Sequence, residues 1–223
     1  MADSNDEAEA FFHIVRIVCD DGEIDVNIHA LLAASAPLRT LLKPFKDSLR
    51  LRSSRVGVEI LVVWLTTGEV DTEKYEAGRG ADEIVKFLCE AYQLGRRLEL
   101  PQRFLDEVMD GIINAVVSEC RHSNEEVWEI ITTIARTVGS GAAGYRFLID
   151  WLVYGNLEND GNDVEWGQKI AELVGEDPIL LKRFLSGLFQ ERLAKNSDLP
   201  WDGEWCRYHE HGDILPCYRA TMR

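Results

Sequence analysis

The run Phe12–Cys19 (FHIVRIVC) is β-branched, and Ile24–Ile28 alternates apolar with polar residues. Asp20-Asp21-Gly22-Glu23 lies between them. A period of two puts successive side chains on opposite faces of an extended chain, and Asp-Gly supplies the positive-φ position of a tight turn. The pattern predicts a two-stranded hairpin with Ile24, Val26 and Ile28 on one face and Asp25 and Asn27 on the other. At His29 the period changes. HALLAASAPLRTLL is rich in helix formers, Pro37 forces a break, and Leu38, Leu41 and Leu42 recur at helical spacing. Two short helices are therefore expected. Phe45-Lys46-Asp47-Ser48 closes the segment, and LRLR (Leu49–Arg52) returns to period two as a third short strand.

Downstream the period is helical. Ser53 or Ser54 can cap a helix whose stripe is Val56, Ile60, Leu61 and Trp64 and whose end is Gly68. Val70-Asp71 is a short extended piece, and Glu76–Gly80 a charged loop. Asp82–Leu94 is a helix with Ile84, Phe87, Leu88, Ala91 and Leu94 inward. Leu100-Pro101 opens the next, with Leu105, Val108, Met109, Ile112, Ile113 and Val116 as its stripe. Cys120–His122 is a boundary. Beyond it, Ser123–Glu126 is a capping box for a helix over Trp128–Ile134, Gly139–Gly144 is a connector, and Tyr145–Tyr154 is amphipathic. Asp177-Pro178 starts a helix carrying Leu180, Leu181, Phe184, Leu185, Leu188 and Phe189. The expected architecture is α+β: a disordered tail at 1–10, a small sheet flanked by a helical cluster at 11–119, and an α-helical C-terminal extension at 120–223 with a Cys/His-containing tail.

The formal net charge of -15 argues against binding to a nucleic-acid backbone and suits solubility or a basic protein partner. No run reaches the length of a membrane span. MADSNDEAEA is acidic, unlike a secretory leader, and the five scattered cysteines read as reduced thiols rather than a disulfide framework. An intracellular protein of the cytoplasm and/or nucleus is expected.

Ile28-His29, Leu31-Leu32-Ala33-Ala34-Ser35, Leu38–Leu42 and Phe45-Lys46-Asp47-Ser48 follow one another in an order that resembles the BTB/POZ domain. Val63–Val70 (VWLTTGEV) resembles the family's W-L-Y-T-G segment, with Thr66 where Tyr is usual. Ala91–Pro101 resembles the linker of its helical hairpin. The resemblance covers roughly Phe12–Val117 and is closest to the fungal branch, which often carries a helical extension ending in a Cys/Tyr/His-rich tail. It implies a protein–protein interaction module that forms a homodimer, with His13, Val15, Ile17, Leu31 and Leu32 in self-association. In adaptors for cullin-3 ubiquitin ligases, a hydrophobic-x-Glu element at the position of Phe45-Lys46-Asp47 contacts the cullin. The implied contact set here is Leu41, Leu42, Phe45 and Asp47, with a carboxylate one methylene shorter than usual. The corepressor pocket of transcription-factor members needs an Asp in the first strand and a basic residue after the His. HIVRIV has no Asp and Ala30 follows His29, so that pocket is not expected.

Four patterns carry residue types suited to chemistry. Gly139–Gly144 (GSGAAG) matches G-x-G-x-x-G, the remote alternative being a nucleotide-binding enzyme. A dinucleotide site needs a buried strand before the loop, and the capping box there reads as helix. Cys206, His209, His211 and Cys217 have zinc-ligating atoms at a spacing unlike a standard finger. The competing reading is a tail whose Trp201, Trp205 and Tyr208 dock on the helical section. His29 lacks a nucleophile partner and reads as a junction residue with local hydrogen bonds. Asp20, Asp21 and Glu23 read as a solvated turn. The expectation is therefore no catalytic, cofactor-binding or metal residues, and interaction with protein partners rather than catalysis. The alternatives within it are a cullin-3 ligase substrate adaptor and a homotypic scaffold without a ligase role.

Overall fold

The computed structural model describes residues 14–42, 47–76, 78–119, 124–139, 142, 144–158, 164–175, 177–194, 205–209 and 217. The chain divides into two compact units, residues 1–122 and 123–223. It is a mixed α+β protein, mostly helical, with a small three-stranded sheet.

In the first unit, β1 (Ile14–Val18) pairs antiparallel with β2 (Glu23–Asn27), Ile17 opposite Ile24. The expected face of β2 is inward: Val26 is buried and Ile24 partly so, while Asp25 and Asn27 are exposed. Asn27 ends the strand and starts α1 (Ile28–Ala34), its side chain accepting from the His29 N–H at 2.9 Å. That junction satisfies one of the orphan donors of a helix start. Ser35 both ends α1 and caps α2 (Ala36–Leu41), accepting from the Leu38 N–H at 3.1 Å, with Pro37 in the first turn where it needs no donor. The chain then returns as β3 (Ser48–Arg50), parallel to β1, giving the order β2-β1-β3.

Ser54 caps α3 (Arg55–Thr67), and Gly68 closes it at φ 78°. Two carboxylates reinforce the same helix start: Glu90 accepts from the Ser54 N–H at 3.0 Å, and Asp21 accepts from the Arg55 N–H. The acidic hairpin turn thus has a structural task in addition to its exposure. A one-turn helix, α4 (Glu73–Glu76), follows, and then α5 (Ala81–Arg97) and α6 (Gln102–Glu119) pack as a hairpin. The α6 stripe of Leu105, Val108, Met109, Ile112, Ile113 and Val116 is buried as its period predicts. Burying an aliphatic side chain of this kind is worth about 1.5–3 kcal/mol, so this stripe, with Leu88, Ala91 and Leu94 of α5 also buried, forms a large part of the core. The two helices approach closely at Gly95, where an added Cβ would lie 2.7 Å from the Phe104 ring.

In the second unit, α7 (Asn124–Val138), α8 (Gly144–Glu158), α9 (Val164–Gly175) and α10 (Pro178–Ala194) are followed by a single 3-10 turn at Trp205–Tyr208. Helix α9 has no counterpart in the sequence reading, although Ile170, Leu173 and Val174 give it a buried edge. The cap at Asp177 forms as expected: its Oδ1 accepts from the N–H groups of Ile179 and Leu180 at 2.8 and 3.2 Å. Along α10 only part of the expected stripe is inward. Leu180 and Phe184 are buried, whereas Leu181 and Leu185 are exposed.

Candidate functional site

The interaction residues expected from the resemblance divide by burial. On β1, Val15 and Ile17 are completely buried, as is Leu31 on α1, while Leu32 is half-buried. These three complete the unit's own core, so they present no surface for self-association. A period of two identifies two faces of a strand without saying which is inward. The other face of β1 is the exposed one: Ile14 is 59% exposed, and Arg16 lies between Glu23 and Asp25 at 3.5 and 3.2 Å on β2. His13 lies outside the described residues.

In the α2–β3 segment, Leu42 is buried, 1% exposed, and anchors the end of the helix through its N–H to the Leu38 carbonyl. Leu41, one residue earlier, is 41% exposed. Asp47 is exposed, and its carbonyl accepts from the Arg16 N–H at 2.9 Å, which ties the segment to β1. The exposed pair of this set is therefore Leu41 and Asp47. Phe45 lies outside the described residues.

His29 is exposed at the first turn of α1. The glycine loop follows a helix rather than a strand, and Gly139, at φ 77°, ends that helix. Among the described residues the second unit contains no strand. The buried strand that must feed a pyrophosphate-binding turn is therefore missing there. An open groove of about 840 Å³ beside α8 and α10 is lined by Arg146, Asp150, Lys182, Arg183 and Ser186 among others. The exposed cations on its rim contrast with the chain's net charge of -15.

The C-terminal tract is the place where reactive side chains converge. Tyr208 is fully buried. Its hydroxyl donates to Asp150 Oδ2 on α8 at 2.9 Å, and its ring meets Phe147 edge-on, centroids 5.4 Å apart. The docking expected of the tail is thus present for Tyr208; Trp201 and His211 lie outside the described residues. The 3-10 turn that Tyr208 closes carries Cys206, and the His209 N–H bonds to the Cys206 carbonyl at 3.2 Å. Residues three apart eclipse in such a turn, so Cys206 and His209 lie on one side. Cys217 returns to the same point, its Sγ 3.4 Å from His209 Nδ1. The ligating atoms of Cys206, His209 and Cys217 all lie within 4.8 Å of one another. His209 and Cys217 are 3% and 8% exposed. The turn places Cys206 and His209 together although the tract's spacing is unlike a standard finger. The usable signal was the Cys-x-x-His spacing, not the His-x-His pair.

No protein-family model matches the chain, and no curated protein matches it.

Proposed function

We propose that the chain is a protein–protein interaction module of BTB/POZ type, with the α2–β3 segment as its contact surface and a cullin-3-type ubiquitin ligase as candidate partner. The observation that carries this reading is the course of the first unit. A β-hairpin passes directly into two short helices jointed at Ser35, a strand returns parallel to β1, and a helical hairpin completes the core. That is the element order of the segments that resemble the BTB/POZ domain. Leu41 and Asp47 flank the expected contact and are both exposed, so an apolar side chain and a carboxylate are available to one partner. A few buried apolar anchors commonly dominate such contacts. The helical second unit is then a candidate for the surface that recruits a substrate, and the activity is binding rather than catalysis.

A homotypic scaffold is the second reading, favoured by Ile14, a large apolar side chain 59% exposed on the central strand.

The test is a pull-down of the tagged chain from cell extract, wild type beside Phe45→Ala and Leu41→Ala, read by mass spectrometry. Cullin-3 captured by wild type and lost from both variants supports the adaptor. Its absence from wild type overturns the adaptor. In that case sedimentation of wild type and Ile14→Glu over rising concentration decides the scaffold: a wild-type oligomer dispersed by the variant supports it, and a wild-type monomer throughout removes it.

A further inference from the structure

We propose that Cys206, His209 and Cys217 form a zinc site in the second unit, and that the metal holds the chain's last segment in its fold. The inference is independent of the interaction reading above.

The geometry fits a metal site. Tetrahedral zinc, with Zn–S near 2.3 Å and Zn–N near 2.0 Å, needs nitrogen–sulfur edges of about 3.6 Å and sulfur–sulfur edges of about 3.8 Å. The His209 Nδ1 to Cys217 Sγ separation is 3.4 Å, and no pair in the set exceeds 4.8 Å. The three atoms thus define one face of a tetrahedron that closes with adjustments of about 1 Å or less per pair. Two features of the chain bring this about. The 3-10 turn stacks Cys206 and His209 on one edge, and the buried Tyr208 between them in sequence pins that turn to α8 through Asp150 and Phe147. The ligands are thereby held by a neighbour already fixed in the core, as supporting contacts hold the ligands of known metal sites.

Donor chemistry selects the ion. Two sulfurs and an imidazole are soft to borderline donors, which suit zinc and disfavour magnesium and calcium. His209 and Cys217 are almost wholly buried, so the bound ion is screened from water along that side. Among the described residues the set supplies three donors. The fourth position goes to a water molecule or to another donor. Binding replaces the two thiol protons with the metal, releases them to solvent, and changes no oxidation state. Because the unfolded chain has no such site, the binding energy acts as folding energy for the arrangement that brings Cys206, His209 and Cys217 together.

The test uses the full chain, untagged, produced in zinc-supplemented medium and purified under a phosphine reductant without chelator. Zinc is measured by plasma mass spectrometry. The expected result is one zinc per chain, falling to background in Cys217→Ser and in His209→Asn and unchanged in Cys19→Ala, whose thiol lies in the first unit. Should the site variants fail to fold, the wild type decides alone. Its apo form, titrated with cobalt(II), should show the thiolate-to-cobalt charge-transfer band and the strong visible bands of a tetrahedral centre, both erased by zinc. Folded wild type without zinc and without the charge-transfer band overturns the proposal. A Cys206–Cys217 disulfide trapped from the reduced preparation also overturns it.

Discussion

Tyr208 donates its phenolic hydrogen to Asp150, 58 residues earlier in the chain, at 2.9 Å, and so fastens the short turn at Trp205–Tyr208 to helix α8. Tyr208→Phe keeps the ring against Phe147 and removes only this bond. The expected cost is about 1–2 kcal/mol, since the acceptor is a carboxylate and is left short of a donor. Asp150→Asn should cost less after Tyr208→Phe than alone. A double-mutant cycle read from denaturant unfolding checks it; a coupling of zero would mean that the bond does not hold the turn.

The connection between α5 and α6 carries a correctable strain. Leu100 N–H bonds to the Gly95 carbonyl and Glu99 N–H to the Arg96 carbonyl, the paired bonds of a helix end that normally has glycine in the left-handed position. Here Glu99 occupies it, at φ 50°. Glu99→Gly should therefore stabilise the first unit, by about 1 kcal/mol. Gly95→Ala, two residues inside the helix end, should do the reverse. Its Cβ would lie 2.7 Å from Phe104 and 2.9 Å from Leu105, and overpacking of that kind costs about 1–3 kcal/mol. Gly167→Ala, with nothing within 4 Å of the new Cβ, should stabilise by about 0.5–1 kcal/mol. The three melting temperatures should move up, down and up.

Helix caps formed by side-chain hydroxyls should be expensive to remove. Ser35 is 5% exposed and joins α1 to α2, and Ser54 caps α3. Either serine changed to alanine should cost about 1 kcal/mol, and Ser35→Ala should cost more because it also leaves the Leu38 N–H buried without its acceptor. Chemical denaturation of the two variants gives the comparison.

The second unit should lose stability in acid through Asp177. Its carboxylate accepts from the Tyr145 hydroxyl at 2.6 Å and from two backbone N–H groups of α10. The phenol bond is the largest cause of a carboxyl pKa held below its usual value, with burial opposing. A depressed folded pKa means that the contribution is complete above the unfolded value, about 4 for an aspartate, and disappears as pH falls through the folded value. Burial first, and then the Asp177 carboxylate, push the Tyr145 phenol above its ordinary range. Its contribution is complete below about pH 10 and is lost as pH rises through the raised value. Asp177→Asn should flatten the acid limb of the stability profile, and Tyr145→Phe should weaken both limbs. An unchanged acid limb in Asp177→Asn would assign the effect to other carboxylates.

What the sequence determined was local. The period-two runs, the period change at His29, the serine caps, Gly68, the Asp177-Pro178 start and the clean stripe of α6 all specify conformation within a few residues, where sterics and backbone hydrogen bonds act without help from the rest of the chain. Helix α9 is absent from the sequence expectations although Ile170, Leu173 and Val174 recur at helical spacing, and of the apolar residues on α10, Leu180 and Phe184 are buried while Leu181 and Leu185 are exposed. What only the tertiary structure decided was which face is inward and which distant atoms meet. Val15, Ile17 and Leu31 serve the unit's own core, leaving Ile14 and Leu41 outside, because strand alternation is symmetric until a helix layer covers one side. Cys217 lies beside His209, its Sγ 3.4 Å from Nδ1, and Cys206 joins them because a 3-10 turn places residues three apart on the same side. Local periodicity contains neither fact, since each depends on packing between segments that are not neighbours in sequence.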